Sequence, residues 1–214
     1  MKSKYTEDDT AIIPLSGNQP IAQGKFCFCY IHPQDSALCI KIPSSHRKAH
    51  QRRNADRSYY RKLHRAKIDL THIADHLGVC KTDKGEGDLY QHIFDRDGLT
   101  SKTITHYLNE QPDLAPQILA HLISLGRHLL KNAIMISDLH GNNVLLQQLD
   151  ENLPKLTIVD GIGDRVFLTV LNIFPFFKRR KIIRRWNRFI DRLQRSHPSI
   201  NIPSSQYHLV NHKP

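Results

Sequence analysis

Ile134-Met135-Ile136-Ser137-Asp138-Leu139-His140-Gly141-Asn142-Asn143-Val144-Leu145-Leu146 and, after a proline-containing turn, Leu156-Thr157-Ile158-Val159-Asp160-Gly161 form the stretch whose reading decides the fold. Two short apolar runs, rich in β-branched residues, each abut a polar cluster, which is the pattern of buried strands ending in loops. Asp138, Asn143 and Asp160 fall where those runs end and the chain turns, and all three offer oxygen donors. Hard oxygen ligands of this kind suit Mg²⁺ or Mn²⁺ bound together with phosphate. Taken singly, an Asp-Gly pair is an ordinary turn. Its value here lies in what precedes it.

Working upstream, residues 113–131 carry Ile118, Leu119, Leu122, Ile123, Leu125, Leu129 and Leu130, apolar on most faces, and predict a buried helix; residues 101–108 predict a shorter one. Residues 18–42 read as strand, turn and strand. Ile21 leads to Gln23-Gly24-Lys25, then Phe26 to Ile31, a turn at His32-Pro33-Gln34-Asp35, and Leu38 to Ile42. The glycine turn at Gly24 offers backbone to a phosphate. Lys41, set between Ile40 and Ile42, offers a fixed cation whose desolvation an anion would offset. A basic helical stretch is expected from about residue 49 to 77, a turn at residues 84–88, and a further strand at 89–94 ending at Asp95-Arg96-Asp97-Gly98.

The 214 residues carry a net charge of +11 and 39% hydrophobic residues, enough apolar material for a core and too much for a disordered polyampholyte. The charge is concentrated. Residues 47–67 hold nine Lys/Arg against Asp56, and residues 178–195 hold nine against Asp191, so the rest of the chain is on balance acidic. Two such patches point to an anionic partner: nucleic acid, acidic headgroups or a phosphorylated substrate. In the second patch Ile182, Ile183, Trp186, Phe189, Ile190 and Leu193 recur every three or four residues, the pattern of an amphipathic basic helix. That face can lie on a membrane or on the protein's own core. The uncharged run Val166 to Phe177 is twelve residues, interrupted by Pro175, well short of the roughly 20 a spanning helix needs. With no apolar stretch behind the basic start at Met1, the expected location is cytoplasmic, with peripheral contact at an anionic inner-membrane surface through residues 166–195. The four cysteines read as thiols rather than a disulfide framework.

The order Gly24, Lys41, Asp138-x-x-x-x-Asn143, Asp160-Gly161 resembles the protein-kinase-like fold. The Asp-Leu-His-Gly-Asn-Asn form resembles aminoglycoside, choline and lipopolysaccharide-core kinases. Over nearly the whole length the chain looks most like the YrbL family of bacterial proteins of the PhoP regulatory network. The resemblance implies an α+β, two-lobe fold: a tail at 1–17, a small antiparallel-sheet N-lobe at 18–97, and a truncated, mainly helical C-lobe at 98–214. It also implies ATP and Mg²⁺ as cofactors. Asp138 would act as base or orienter for the acceptor hydroxyl, with His140 bracing its loop. Asn143 and Asp160 would hold the metal, and Lys41 the nucleotide phosphates. Gly24, Lys25 and Phe26 would cover them, Asp56 would pair with Lys41, and backbone near His92 and Ile93 would meet adenine.

The implied activity is an ATP- and Mg-dependent phosphotransferase acting on a small or membrane-associated hydroxyl substrate in a bacterial envelope-stress, PhoP-type regulatory context. Only 54 residues follow Asp160, too few for the helical platform on which protein kinases dock peptides, so a small-molecule or lipid-linked acceptor is expected. Two departures support an alternative, a pseudokinase that binds nucleotide without turnover: Ala22 and Cys27 stand where glycines would, and Asp56 is shorter than the usual Glu. Ser137 replaces the Arg that couples to a phosphorylated loop, so regulation by that route is not expected. A second alternative is a basic module binding nucleic acid or an anionic surface, although no helix-turn-helix, zinc-finger or RNA-recognition signature argues for sequence-specific binding. A zinc site of Cys27, Cys29 and Cys39 with a His is disfavoured because Cys-x-Cys lacks the usual loop spacing.

Overall fold

The computed structural model describes residues 11–149, 154–163, 175–200, 202 and 204–210. The chain is a mixed α+β protein that divides into two compact units, residues 11–66 with 74–93 and residues 67–73 with 94–210.

The first unit is a five-stranded antiparallel sheet in the order β1-β2-β3-β5-β4. Its strands are β1 (Ala22–Gln23), β2 (Cys27–His32), β3 (Asp35–Pro43), β4 (His76–Thr82) and β5 (Gly85–Gln91), with helix α1 (Ala49–Arg65) between β3 and β4. Alternation along the strands separates two faces. One buries Leu15, Tyr30, Leu38, Ile40, Ile42 and Leu89 as an apolar cluster. The other presents the registered pairs Cys29↔Lys41, Lys41↔Asp88 and Cys39↔Tyr90. Helix α1 meets that second face, with Tyr60 packing edge-on against Tyr90 and donating its hydroxyl to the Ala74 carbonyl at 2.7 Å.

Here the structure corrects the sequence reading in two places. The helix stops at Arg65 rather than near residue 77, and residues 76 and 77 open a strand that runs to Thr82. The Lys84–Asp88 stretch is not a turn: β5 begins at Gly85 and runs through Asp88, leaving residues 83 and 84 as the hairpin connection. Of the two glycines that read as turn residues, Gly85 opens the strand at φ +102° with open space around it, and Gly87 is there for packing. A Cβ on Gly87 would come within 2.6 Å of the Ile40 side chain. The strand expected at 89–94 correspondingly ends at Gln91.

The second unit contains the three-stranded sheet β6-β7-β8, formed by β6 (Lys102–Thr103), β7 (Val144–Gln148) and β8 (Pro154–Ile158). With it pack α2 (Ile104–Glu110), α3 (Ala115–Lys131), α4 (Pro175–Ser196) and the short α5 (Ser204–Tyr207). The expected helix at 101–108 starts later, at Ile104, because Lys102 and Thr103 pair with β7. The Thr103 hydroxyl then caps the helix by accepting the His106 N–H. Helix α3 buries Ile118, Leu119, Leu122, Leu125 and Leu129.

Helix α4 settles which surface its apolar face meets. Ile182, Trp186, Phe189, Ile190 and Leu193 are all buried, Trp186 at 1% exposure and Ile190 at 0%. The Trp186 indole N–H donates to the Tyr207 carbonyl at 2.8 Å. Of the two surfaces open to this stripe, a membrane or the protein's own core, these five residues meet the core of their own unit, and Phe176 and Phe177 at the start of the helix are its exposed large apolar residues. The remainder of the apolar run, residues 166–174, and the N-terminal tail 1–10 lie outside the described residues. Among the described residues no helix is long and apolar enough to cross a membrane.

Candidate functional site

In the second unit the two polar clusters that opened the sequence reading are fastened to each other by backbone. Ile136 bridges Ile162, the Ser137 N–H and hydroxyl both donate to the Gly161 carbonyl (2.7 and 2.9 Å), and the Gly163 N–H donates to Met135 at 2.7 Å. Gly161 adopts φ +74°, and a Cβ there would lie 2.8 Å from the Asp138 Cβ. Only glycine permits both the left-handed backbone and this approach. Asp138 and the Asp160-Gly161 turn are thus neighbours by construction.

Asn143 completes the cluster. It ends the 3-10 turn Gly141–Asn143, its N–H donates to His140 at 2.9 Å, and its side-chain amide donates to the Asp138 carbonyl at 2.9 Å. Its own carbonyl accepts the Val159 N–H at 3.0 Å, tying it to the strand end that carries Asp160. With the amide nitrogen committed, Oδ1 is the side-chain atom left for a ligand. His140 Nε2 lies 3.8 Å from Asp138 Oδ1, both half-exposed, close enough for electrostatic contact and too far for a hydrogen bond.

Two arginines of α4, seven residues apart and so on one helix face, hold this loop from outside. Arg185 donates to the Ile136 carbonyl and Arg192 to the Leu139 carbonyl, on either side of Asp138. The sequence reading assigned these cations to a membrane or a solvated face; the structure gives two of them an internal role. The i, i+7 spacing was legible, but its destination was not.

The first unit arranges the other named residues. The Gly24 turn closes through its N–H to the Cys27 carbonyl at 2.9 Å, and Ser44 pins the loop by bonding the Lys25 and Phe26 carbonyls at 2.9 and 2.8 Å. The Phe26 ring carries the Arg52 guanidinium 3.4 Å from its centroid and the His46 ring edge-on at 4.7 Å. Partial desolvation, and then the cations Lys25, Arg47, Arg52 and Lys48, hold the His46 imidazole below its ordinary value. Lys41 places its ammonium 4.6 Å over the Tyr90 ring. Burial drives the Tyr60 phenol well up, with the Tyr90 phenol adding to the effect and the Lys41 charge opposing it. His92 is spent on the sheet: its N–H donates to Ala37 at 2.8 Å and its ring Nδ1 lies 2.7 Å from the Ser36 carbonyl, while Ile93 is 3% exposed.

The sequence reading missed Asp88. At 1% exposure it receives Arg57 through two nitrogens and His76 Nε2 at 2.8 Å, and Arg53 and Arg57 also reach Glu86 at 3.1 and 3.0 Å. Desolvation, the largest influence on Asp88, opposes its ionisation, yet the His76 and Arg57 hydrogen bonds outweigh it and hold the carboxyl below its ordinary value. Two of the arginines that looked solvated are consumed here. A surface hollow of about 610 Å³ in this unit, bounded by residues 18–21 and 31–36, holds none of the expected site residues. Among the described residues no three His, Cys, Asp or Glu side chains converge as a metal centre, and the four cysteines are thiols outside any disulfide.

The backbone thus brings an aspartate, an asparagine and a second aspartate together at two strand ends of a mixed α+β protein. The family model described as PhoP regulatory network protein YrbL matches residues 13–194, and the chain belongs to that family. It is 31% identical over 183 residues to the uncharacterized protein YrbL of Escherichia coli (strain K12), covering 84% of this chain and 87% of that one. The YrbL protein of Shigella flexneri matches to the same extent.

Proposed function

We propose that the chain is an ATP- and Mg-dependent phosphotransferase of protein-kinase-like, two-lobe fold, acting on a small or membrane-associated hydroxyl substrate within the PhoP regulatory context its family name carries. The observation that supports this most is the hydrogen-bonded apposition of the Asp138 loop and the Asp160-Gly161 turn, with Asn143 bonded to both strand ends. The donor set fits magnesium: Asp160 and Asn143 supply two oxygens, a number that leaves the remaining positions to phosphate and water, as magnesium prefers. Bound magnesium would neutralise charge on the phosphoryl group in transfer.

Asp138 would orient the acceptor hydroxyl and receive its proton, and Arg185 and Arg192 would hold its loop in place. Lys41, in the first unit, would take nucleotide phosphate, with Gly24, Lys25 and Phe26 covering it and Asp56 as counter-charge. The His92 N–H is already committed, so adenine would be read by other backbone groups near Ile93.

One observation favours the nucleotide-binding regulator without turnover as the second reading. The covering loop is held twice by Ser44, and its Phe26 is clamped between Arg52 and His46, a stiffer arrangement than a mobile glycine-rich loop. Calorimetric titration with ATP, with and without Mg²⁺, tests both readings together. Asp160→Ala should abolish the Mg²⁺-dependent part of binding. Asp138→Ala should retain binding, and any phosphate release seen in the unmodified protein should then vanish; if none is seen there while Mg²⁺-dependent binding is present, the second reading holds.

A further inference from the structure

Cys27, Cys29 and Cys39 lie on one face of the β2–β3 ladder, the face of Lys41, and no role described so far uses them. Cys29 faces Lys41 and Cys39 faces Ile31 across the ladder, so the two cysteines are diagonal neighbours. The Cys29 side chain is near enough for a hydrogen bond from it to favour the Cys39 thiolate. Cys29 is half-buried and Cys39 is 6% exposed, with its sulfur 3.9 Å from the Gln91 carbonyl. We infer that Cys29 and Cys39 form a reversible, peroxide-driven disulfide, a modification site independent of the nucleotide reading.

The chemistry balances with hydrogen peroxide as the oxidant. The more exposed Cys29, as thiolate, attacks one peroxide oxygen; the O–O bond breaks, the sulfur is oxidised to sulfenic acid, and the departing hydroxide takes up the thiol proton as water. The Cys39 thiolate then attacks the sulfenic sulfur; the S–S bond forms, the S–O bond breaks, and the second hydroxide leaves as water with the Cys39 proton. Two thiols and one peroxide give one disulfide and two waters. The environment assists the second step. In the reduced pair the Cys29 hydrogen bond, against burial and together with the Lys41 charge, holds the Cys39 thiol below its ordinary value; once Cys29 is a sulfenic acid, the Lys41 charge is the influence that still favours the attacking thiolate.

The diagonal geometry makes the bond a switch rather than a staple. Diagonal partners in an antiparallel pair sit about 7–8 Å apart at Cα, against an upper limit of about 6.8 Å for a disulfide. Closure therefore shears β2 against β3, and a strained bond of that kind is readily reduced. The ladder already breaks register between Ile31 and His32, beside Cys39's partner, where the shear can be absorbed.

The test treats the full chain with hydrogen peroxide, alkylates the remaining thiols and maps them by mass spectrometry. Trypsin leaves Cys27, Cys29 and Cys39 on one peptide, Phe26 to Lys41, so cleavage after Tyr30 and Leu38 with chymotrypsin is needed to separate Cys29 from Cys39. The thiol titre should fall from four to two, with Cys29 linked to Cys39, and return to four with dithiothreitol. Cys27→Ser and Cys80→Ser should keep the link, and Cys29→Ser should abolish it with no need for Cys39→Ser to fold. Four free thiols after treatment, a link through Cys27, or Cys29 driven to sulfinic or sulfonic acid without a link would overturn the inference.

Discussion

Asp88 shows how far one carboxylate can organise its surroundings. Removing a single partner from a buried ionic cluster is costly because the others remain desolvated and unpaired. Asp88→Asn keeps the shape, removes the charge under Arg57 and His76, and should cost about 3 kcal/mol in denaturant unfolding. The sign of the pH dependence follows from the lowered carboxyl. A depressed folded pKa contributes stability that is complete above the ordinary carboxylate value of about 3.9 and is lost as pH falls through the folded value. The unmodified protein should therefore lose stability on acidification below about pH 4 more steeply than Asp88→Asn, measured by urea midpoints across that window. Equal slopes would contradict the assignment.

At the scale of elements, α4 carries the clearest consequence. Arg192→Ala removes a charge-assisted bond to the Leu139 carbonyl, worth about 1.5–3 kcal/mol locally, and Arg185→Ala does the same at Ile136. Hydrogen exchange of the Ser137 and Asn143 amides should accelerate by roughly tenfold or more in either variant, while amides of α3 keep their protection. Unchanged exchange in the loop would show that α4 merely packs nearby. Much at this scale could be read from spacing. The hairpin around Pro33, the buried helix of Ile118 to Leu129 and the amphipathic period of Ile182 to Leu193 are all present as expected, because local periodicity reports them. Strands β4 and β5 could not be read correctly. His76 continues a helix-like composition, and Gly85 and Gly87 carry turn signals, while their strand state depends on pairing and, at Gly87, on the close approach of Ile40, which are non-local. The same limit applied to the site: Asp138, Asn143 and Asp160 announced themselves by order, whereas Asp88, Arg185 and Arg192 have meaning only through distant partners.

For the molecule as a whole, the net charge of +11 remains its most conspicuous property, and the structure divides it. Arg53, Arg57, Arg185 and Arg192 are engaged internally, whereas Arg47, Lys48, Arg61, Lys62 and Arg65 around α1 and Arg180, Arg184 and Arg188 on α4 are exposed. Because the apolar stripe of α4 is core, attraction to anionic vesicles should be electrostatic, at about 1 kcal/mol per basic residue near the surface. It should disappear as the Debye length shrinks from about 10 Å at 0.1 M salt to about 3 Å at 1 M. Sedimentation with anionic and neutral vesicles measures this, and equal binding to neutral vesicles would contradict it. The central claim is the nucleotide and metal chemistry of Asp138, Asn143, Asp160 and Lys41, and calorimetry of ATP binding with and without Mg²⁺ tests it most directly. The account predicts Mg²⁺-dependent binding that Asp160→Ala removes and Asp138→Ala spares; no heat with ATP, or equal affinity with and without Mg²⁺ in the unmodified protein, would contradict it.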